Sequence, residues 1–275
     1  MKKVAMWTAF LLEDSPESAI ETLADCGYRY AEFSDEHGKV LMDRPDPLKA
    51  ANELHDFAGE LGITLAQGHL QLDADVAHPD PASRQKYLDF LKKELEVYER
   101  LGVRAAVLHC GGYAARKEGM TAADAEELSV KSLVELCGSI EGSRIRIAIE
   151  NIPSTQPFAA DLLRILDRVN SPALGICLDT GHLNLVQGDP CKFLEEAGDK
   201  LIALHIADNL GNADHHMLPC GRGTVNWKAF MPKLKESPYR GLFNFEVPGE
   251  RCSMRALQRL KLKYALELGR LMFEL

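Results

Sequence analysis

Apolar and polar positions in this chain come in repeating blocks. A short apolar run is followed by a polar loop, an amphipathic stretch, a glycine and the next apolar run. The runs lie at 4–7, 30–33, 63–66, 105–109, 147–150, 174–179, 201–206 and 242–247. Short runs bounded by turn residues predict buried strands. The stretches between them predict helices. Leu88, Leu91, Leu95 and Tyr98 are spaced 3, 4 and 3 and share one helix face, while Lys92, Lys93, Glu96 and Glu99 occupy the solvated remainder. Asp14, Pro16 and Glu17 form a helix-start signal, and that helix runs to Cys26-Gly27. Pro47 opens a helix through Leu54 and Phe57 to Leu61, closed by Gly62. Further helices are predicted over 121–136, 161–169, from Pro190, over 227–234 and over 254–271.

Eight strands alternating with eight helices predict right-handed βαβ units and a parallel sheet. Eight such units in about 250 residues fit a closed (β/α)8 TIM barrel, here a single domain over 1–275. The rival, an open doubly wound sheet, would carry a glycine-rich phosphate loop after its first strand. Thr8-Ala9-Phe10-Leu11 is nothing like one.

Composition narrows the partners. The 275 residues are 46% hydrophobic and 27% charged, which is globular. The net charge of −9 disfavours nucleic acid and anionic membranes as partners. No apolar run is long enough to span a bilayer. Lys2-Lys3 ahead of an apolar stretch imitates a signal peptide, but no small-residue cleavage site follows and the stretch runs into Glu13-Asp14. Seven cysteines, odd in number and without a C-x-x-C, suit free thiols in a reducing, cytoplasmic compartment. Cys110 and Cys177 adjoin polar strand ends but have no paired base, so no nucleophilic role is assigned to them.

Candidate chemistry lies at the strand ends. In a barrel of this type the C-terminal ends of the strands meet at one mouth. They deliver His69, His109, Glu150, Asp179, His205 and Glu246, with His182 and the Asp214-His215-His216 loop close behind. Six of the nine histidines fall in this set. A lone histidine after a strand is commonly structural, but six separate strands ending alike point to one site. Glu150, Asp179 and Glu246 in one mouth repel one another, and no Lys or Arg stands at the neighbouring strand ends. A divalent cation resolves this, and imidazole with carboxylate suits Zn, Mn, Co or Mg. Glu32 also ends a strand, and by itself reads equally as salt-bridge partner or site residue. Trp7, Phe10 and Phe33 near the strand ends can wall a pocket, with core packing the default.

Several elements carry a resemblance. They are Glu150-Asn151, the run from Cys177 to His182 containing Asp179-Thr180-Gly181-His182, the run Leu204-His205-Ile206-Ala207-Asp208-Asn209, the His216-x-x-Pro-x-Gly-x-Gly223 loop and Phe245-Glu246. Together they resemble the xylose isomerase-like TIM barrels, which include sugar and sugar-phosphate isomerases, epimerases, inosose dehydratases and endonuclease IV. For the single-metal epimerases, the resemblance implies Glu150, Asp179, His205 and Glu246 as ligands of one divalent metal. It implies Glu150 and Glu246 as the catalytic pair, and His182 at substrate oxygens. His69, His109, Arg222 and Trp7 complete the expected substrate contacts. The expected partner is a small sugar or sugar phosphate, and a homo-oligomer is compatible with the sequence.

For endonuclease IV, the resemblance implies up to three Zn ions, with His69, His109, His182, Asp214 and His216 as additional ligands. All nine positions carry an acceptable ligand type. Against this, a nuclease needs basic DNA-gripping loops, and Asp73, Asp75 and Asp80 follow His69. An inosose-type dehydratase would use nearly the same residues.

Overall fold

The computed structural model describes residues 3–249 and 254–275. Its strands are β1 (Val4–Trp7), β2 (Tyr30–Phe33), β3 (Thr64–His69), β4 (Ala105–Leu108), β5 (Arg146–Glu150), β6 (Leu174–Asp179), β7 (Leu201–Ile206) and β8 (Phe243–Phe245). Each pairs in parallel with the next, and β8 pairs back onto β1 with Val4 opposite Phe243. The barrel is therefore closed and in chain order, as the alternating pattern predicts. Lys2 and Cys252 lie outside the described residues.

The helices are α1 (Pro16–Asp25), α2 (Asp35–Met42), α3 (Pro47–Glu60), α4 (Pro81–Leu101), α5 (Tyr113–Lys117), α6 (Ala122–Ser139), α7 (Ala159–Val169), α8 (Thr180–Leu185), α9 (Pro190–Ala197), α10 (Trp227–Glu236) and α11 (Arg255–Met272). Three of these, α2, α5 and α8, lie where the sequence reading has loops. The start of α1 also differs. Ser15, not Asp14, caps it by accepting the Ser18 N–H. Asp14 instead pairs with Arg255 of α11.

Strand periodicity builds two apolar layers. Ile147, Ile149, Ile176, Leu178 and Leu204 point outward into the large core beneath the helices. Ala105, Val107, Ala148, Cys177 and Ala203 form a small separate cluster inside the ring. Small side chains leave room there for the next inward position on each strand. Two residues beyond Ala148 is Glu150, beyond Cys177 is Asp179, beyond Ala203 is His205, and beyond Val107 is His109. The alternation that builds the interior thus aims the polar strand ends into it. β3 runs three residues further than the apolar run 63–66 and ends on His69 itself. Gly68 permits this, because a Cβ there would lie 2.9 Å from the Tyr98 ring of α4.

Candidate metal centre

Glu150 is the hub. It is fully buried at the end of β5, and four histidines surround its carboxylate. Oε2 lies 3.5 Å from His69 Nε2 and 3.3 Å from His109 Nε2. Oε1 lies 3.0 Å from His182 Nδ1 and 3.3 Å from His205 Nδ1. Glu246, just beyond β8 and three strands away, places Oε2 3.3 Å from the same His205 Nδ1 and 3.6 Å from His216 Nδ1. Among the described residues, no Lys or Arg pairs with Glu150, Asp179 or Glu246.

Asp179 is set by local helix chemistry. It is the N-cap of α8, and its Oδ1 accepts the His182 N–H at 2.5 Å. This cap needs an acceptor three residues before the donor, so the Asp179-Thr180-Gly181-His182 spacing fixes both side chains at once. Asn151 locks β5 to β6 by accepting the Asp179 N–H at 2.7 Å and donating to the Asp179 carbonyl at 3.0 Å. Thr180 donates to the Ala207 carbonyl and so anchors the end of β7. Beyond it, Asp208 accepts the Val225 N–H and the Trp227 indole N–H at 3.1 and 2.7 Å, which holds the glycine loop.

Burial and neighbours shift the acids and bases in opposite directions. Burial pushes Glu150 up, but His205, His109 and His182 outweigh it and hold the carboxyl well below its usual range. Burial also acts against ionised Glu246, yet His205 and His216 draw it down to about 2. Asp179 rises to about 7, because burial and the charges of Glu246 and Glu150 exceed the help from His182. Burial lowers His69, but contact with Glu150 raises it to about 9. His109 falls, since burial there exceeds the pull of Glu150. Cys110 and Cys177 are driven up by burial, Cys110 to about 12, so neither supplies a thiolate.

A second group is satisfied without outside help. Asp214 Oδ2 accepts from His182 Nε2 at 3.2 Å and from His216 Nε2 at 3.1 Å. The other ring nitrogens donate to the Asn151 and Glu246 carbonyls at 3.1 and 2.9 Å. Both nitrogens of each ring face an acceptor oxygen, an arrangement that favours the imidazolium. Against burial, Asp179 and Asp214 raise His182 to about 12, and Asp214 and Glu246 raise His216 to about 10. His216 is held at a φ of 43°, a left-handed conformation that a non-glycine residue adopts at a cost.

The residues present fit a cation. Buried donor atoms are rarely without partners in folded proteins. Here Glu150 Oε1 and Oε2, Asp179 Oδ2, His205 Nδ1, Glu246 Oε2 and His69 Nε2 all lack a hydrogen bond. Their contacts of 3.0–3.5 Å are close but misaligned for hydrogen bonding. The ligand atoms of Glu150, Asp179, His205 and Glu246 lie within 4.8 Å of one another, and so do those of His69, Glu150 and His205 and those of His182, Asp214 and His216.

The remaining sequence expectations divide. Trp7 ends β1 in register with Glu32, and its indole N–H is buried without a partner. Arg222 is exposed in the loop before α10, and no described contact ties it to the cluster. Phe33 is fully buried against Tyr98, so it belongs to the core. The acidic stretch after His69 is less acidic at its surface than its sequence suggests. Asp75 is buried and accepts the Gly112, Ala114 and Ala77 N–H groups. Asp80 caps α4. Asp73 is exposed and pairs with Lys39 at 3.4 Å. Glu32 is the residue that sequence reasoning left undecided. It is fully buried against His205, a partner that only the closed barrel supplies.

Known proteins share this arrangement of chain. The chain is 29% identical to the L-ribulose 3-epimerase of Methylomonas sp. (strain DH-1) over 249 residues, 88% of this chain and 81% of that protein. It is also 29% identical to protein y4fM of Sinorhizobium fredii over 174 residues, spanning about half (55%) of that relative's length. The structure of D-psicose 3-epimerase with D-tagatose from Clostridium cellulolyticum H10 superposes with a TM-score of 0.83 at 20% identity, over 98% of this chain and 99% of that one, which shows the shared fold. A family model described as xylose isomerase-like TIM barrel matches residues 20–268, and with most of the closed barrel inside that match, the chain belongs to the xylose isomerase-like TIM barrels.

Proposed function

We propose that this protein is a divalent-metal-dependent sugar or sugar-phosphate isomerase/epimerase. One observation carries the reading: the unpaired buried ligand atoms of Glu150, Asp179, His205 and Glu246 lie within 4.8 Å of one another, with the two glutamates coming from separate strand ends. The epimerase relatives support the substrate class. Glu150, Asp179, His205 and Glu246 would hold a Mn, Zn, Mg or Co ion. When bound, the ion supplies Lewis-acid polarisation of a ketose carbonyl and its neighbouring hydroxyl.

The side chains do the rest. One glutamate carboxylate takes the proton from the carbon beside the carbonyl, which leaves an ene-diolate. The other returns a proton to the opposite face, and the carbon is epimerised. If a single carboxylate moves the proton between adjacent carbons, the product is the isomer. His182 would reach a substrate oxygen by exchanging one of its two present partners, Asp214 or the Asn151 carbonyl, for it, and the buried, unpartnered indole N–H of Trp7 would be a second donor. His69 and His109 back Glu150 from the side away from His182. Arg222, exposed on the loop before α10, would meet a distal hydroxyl or phosphate.

The test is exchange in deuterated water across a panel of ketoses and ketose phosphates. Wild type incorporates deuterium, and Glu150→Gln and Glu246→Gln each abolish it. Retained exchange in either variant removes that residue as a base.

A second reading has its own support. All nine ligand-type residues expected of a three-zinc phosphodiesterase on abasic DNA stand in the mouth, and His182, Asp214 and His216 form a compact third group. The first reading is preferred because that third group is already satisfied by its internal hydrogen bonds. Elemental analysis separates the two: one metal per chain for the epimerase, about three for the phosphodiesterase. An inosose-type dehydratase on the same centre would show exchange accompanied by loss of water.

A further inference from the structure

We propose that Glu32 is a positioning residue of the metal centre, one that selects which nitrogen of His205 faces the ion. The inference rests on the metal-site reading and adds a residue to it. Glu32 projects inward from β2 and has no measurable exposure. Its Oε1 accepts from His205 Nε2 at 2.9 Å. Its Oε2 accepts from the Asn244 amide of β8. Among the described residues, no Lys or Arg pairs with it. Burying a carboxylate costs free energy that a neutral side chain of the same shape would not, and here the His205 ring N–H and the Asn244 amide offset it.

The geometry shows what the charge does. A neutral imidazole carries its proton on one nitrogen only. Glu32 demands that proton at Nε2. With a cation bound the ring must be neutral to ligate, and Nδ1, which lies 3.3 Å from both Glu150 Oε1 and Glu246 Oε2 without a hydrogen-bond partner, would then hold the lone pair. In the other tautomer the Nδ1 proton would point at those two carboxylates, and the ring would compete with a cation for the same space. The His69 ring, stacked on His205 at 5.6 Å and 25°, fixes the ring plane from the side. Glu32 therefore fixes the tautomer, the stacked ring fixes the plane, and the lone pair has one direction left. A carboxylate behind a ligating histidine also raises the basicity of its lone pair, and removing such a partner typically weakens metal binding by about 10–100-fold.

The experiment uses the full-length protein stripped of metal. Mn2+ binding is measured by titration calorimetry on wild type and Glu32→Gln, and both metal-free proteins are melted. The expected result is Mn2+ affinity about 10–100-fold weaker in the variant, with a metal-free melting temperature no lower than wild type. A merely structural residue would lower both together. Equal Mn2+ affinity overturns the proposal, and so does a loss of affinity that only tracks a loss of folded protein.

A second measurement needs no variant. In Zn2+-loaded wild type with 15N-labelled histidine, His205 should show Nδ1 coordinated and Nε2 protonated. Coordination through Nε2 overturns the assignment even if Glu32→Gln does not fold. Wild type that binds neither Mn2+ nor Zn2+ removes the metal centre itself, which is a different failure.

Discussion

Stripping metal from this protein should make its stability fall steeply with alkali. Without a cation, the carboxylates of the mouth are balanced by protonated histidines. His69 rises from 6.5 to about 9 on folding and His216 to about 10. A base whose folded pKa is raised adds stability that is complete below its unfolded value and is lost as pH climbs through the folded one. For these two the loss starts near pH 6.5 and is complete at about 9 to 10, and His182, raised to about 12, extends it further. For fully buried His69 alone, the rise corresponds to about 3 kcal/mol at about 1.4 kcal/mol per pH unit. For a chain of this size that is about 6–12 °C in melting temperature. At the acid end Glu246, drawn from 4.5 to about 2, adds stability present above 4.5 and lost as pH falls towards 2. Asp179, raised from 3.8 to about 7, adds a loss that grows between those values, so the metal-free protein should be most stable at about pH 4–5. A divalent ion replaces the protons, so its benefit should grow with pH. At a hundred times Kd it adds about 2.7 kcal/mol. The assay is thermal melting of metal-stripped and Mn2+-loaded protein from pH 5 to 10. A metal-free melting temperature that is flat or rising above pH 6.5 would refute the charge balance, as would an equal gain from Mn2+ at pH 6 and pH 9.

Two further outcomes test the surrounding frame. Asp214→Asn should leave one tightly held metal per chain by elemental analysis, because its carboxylate serves His182 and His216 and not the central ligands. A drop in the metal count would favour the three-metal reading. Gly223→Ala should destabilise the loop before α10, since a Cβ there would lie 2.0 Å from Asp208 Cγ and push that carboxylate off the Trp227 indole. A loss of roughly 1–3 kcal/mol in denaturant unfolding is expected, and an unchanged midpoint would contradict the packing described.

What the sequence discloses of this site follows from strand periodicity. Glu150, Asp179 and His205 each stand two residues beyond a small inward residue, so a reader who knows the strands knows where they point. Asp179 and His182 stand together in the Asp179-Thr180-Gly181-His182 run, but the cap that joins them belongs to α8, which the sequence does not announce. What lay hidden depends on distant partners. His205 meets Glu32 across 173 residues, and nothing local to either announces the other. Asp75 looks like part of an acidic rim until its acceptors' donors, 37 and 39 residues away, draw it inside. The short helices α2, α5 and α8 span 5–8 residues, too few for an apolar stripe to declare itself.

Closure of the ring has a consequence for biosynthesis. β8 is gripped on both sides, by β7 and by β1, and Glu246 follows it directly. A nascent chain leaves the ribosome N-terminus first, at about 5–20 residues per second. Until its eighth strand arrives, β1 stays an open edge, and a cation held as proposed would lack the Glu246 carboxylate. On that reading the complete ligand set exists only once the ring has closed, so full-strength metal loading would follow closure rather than guide it.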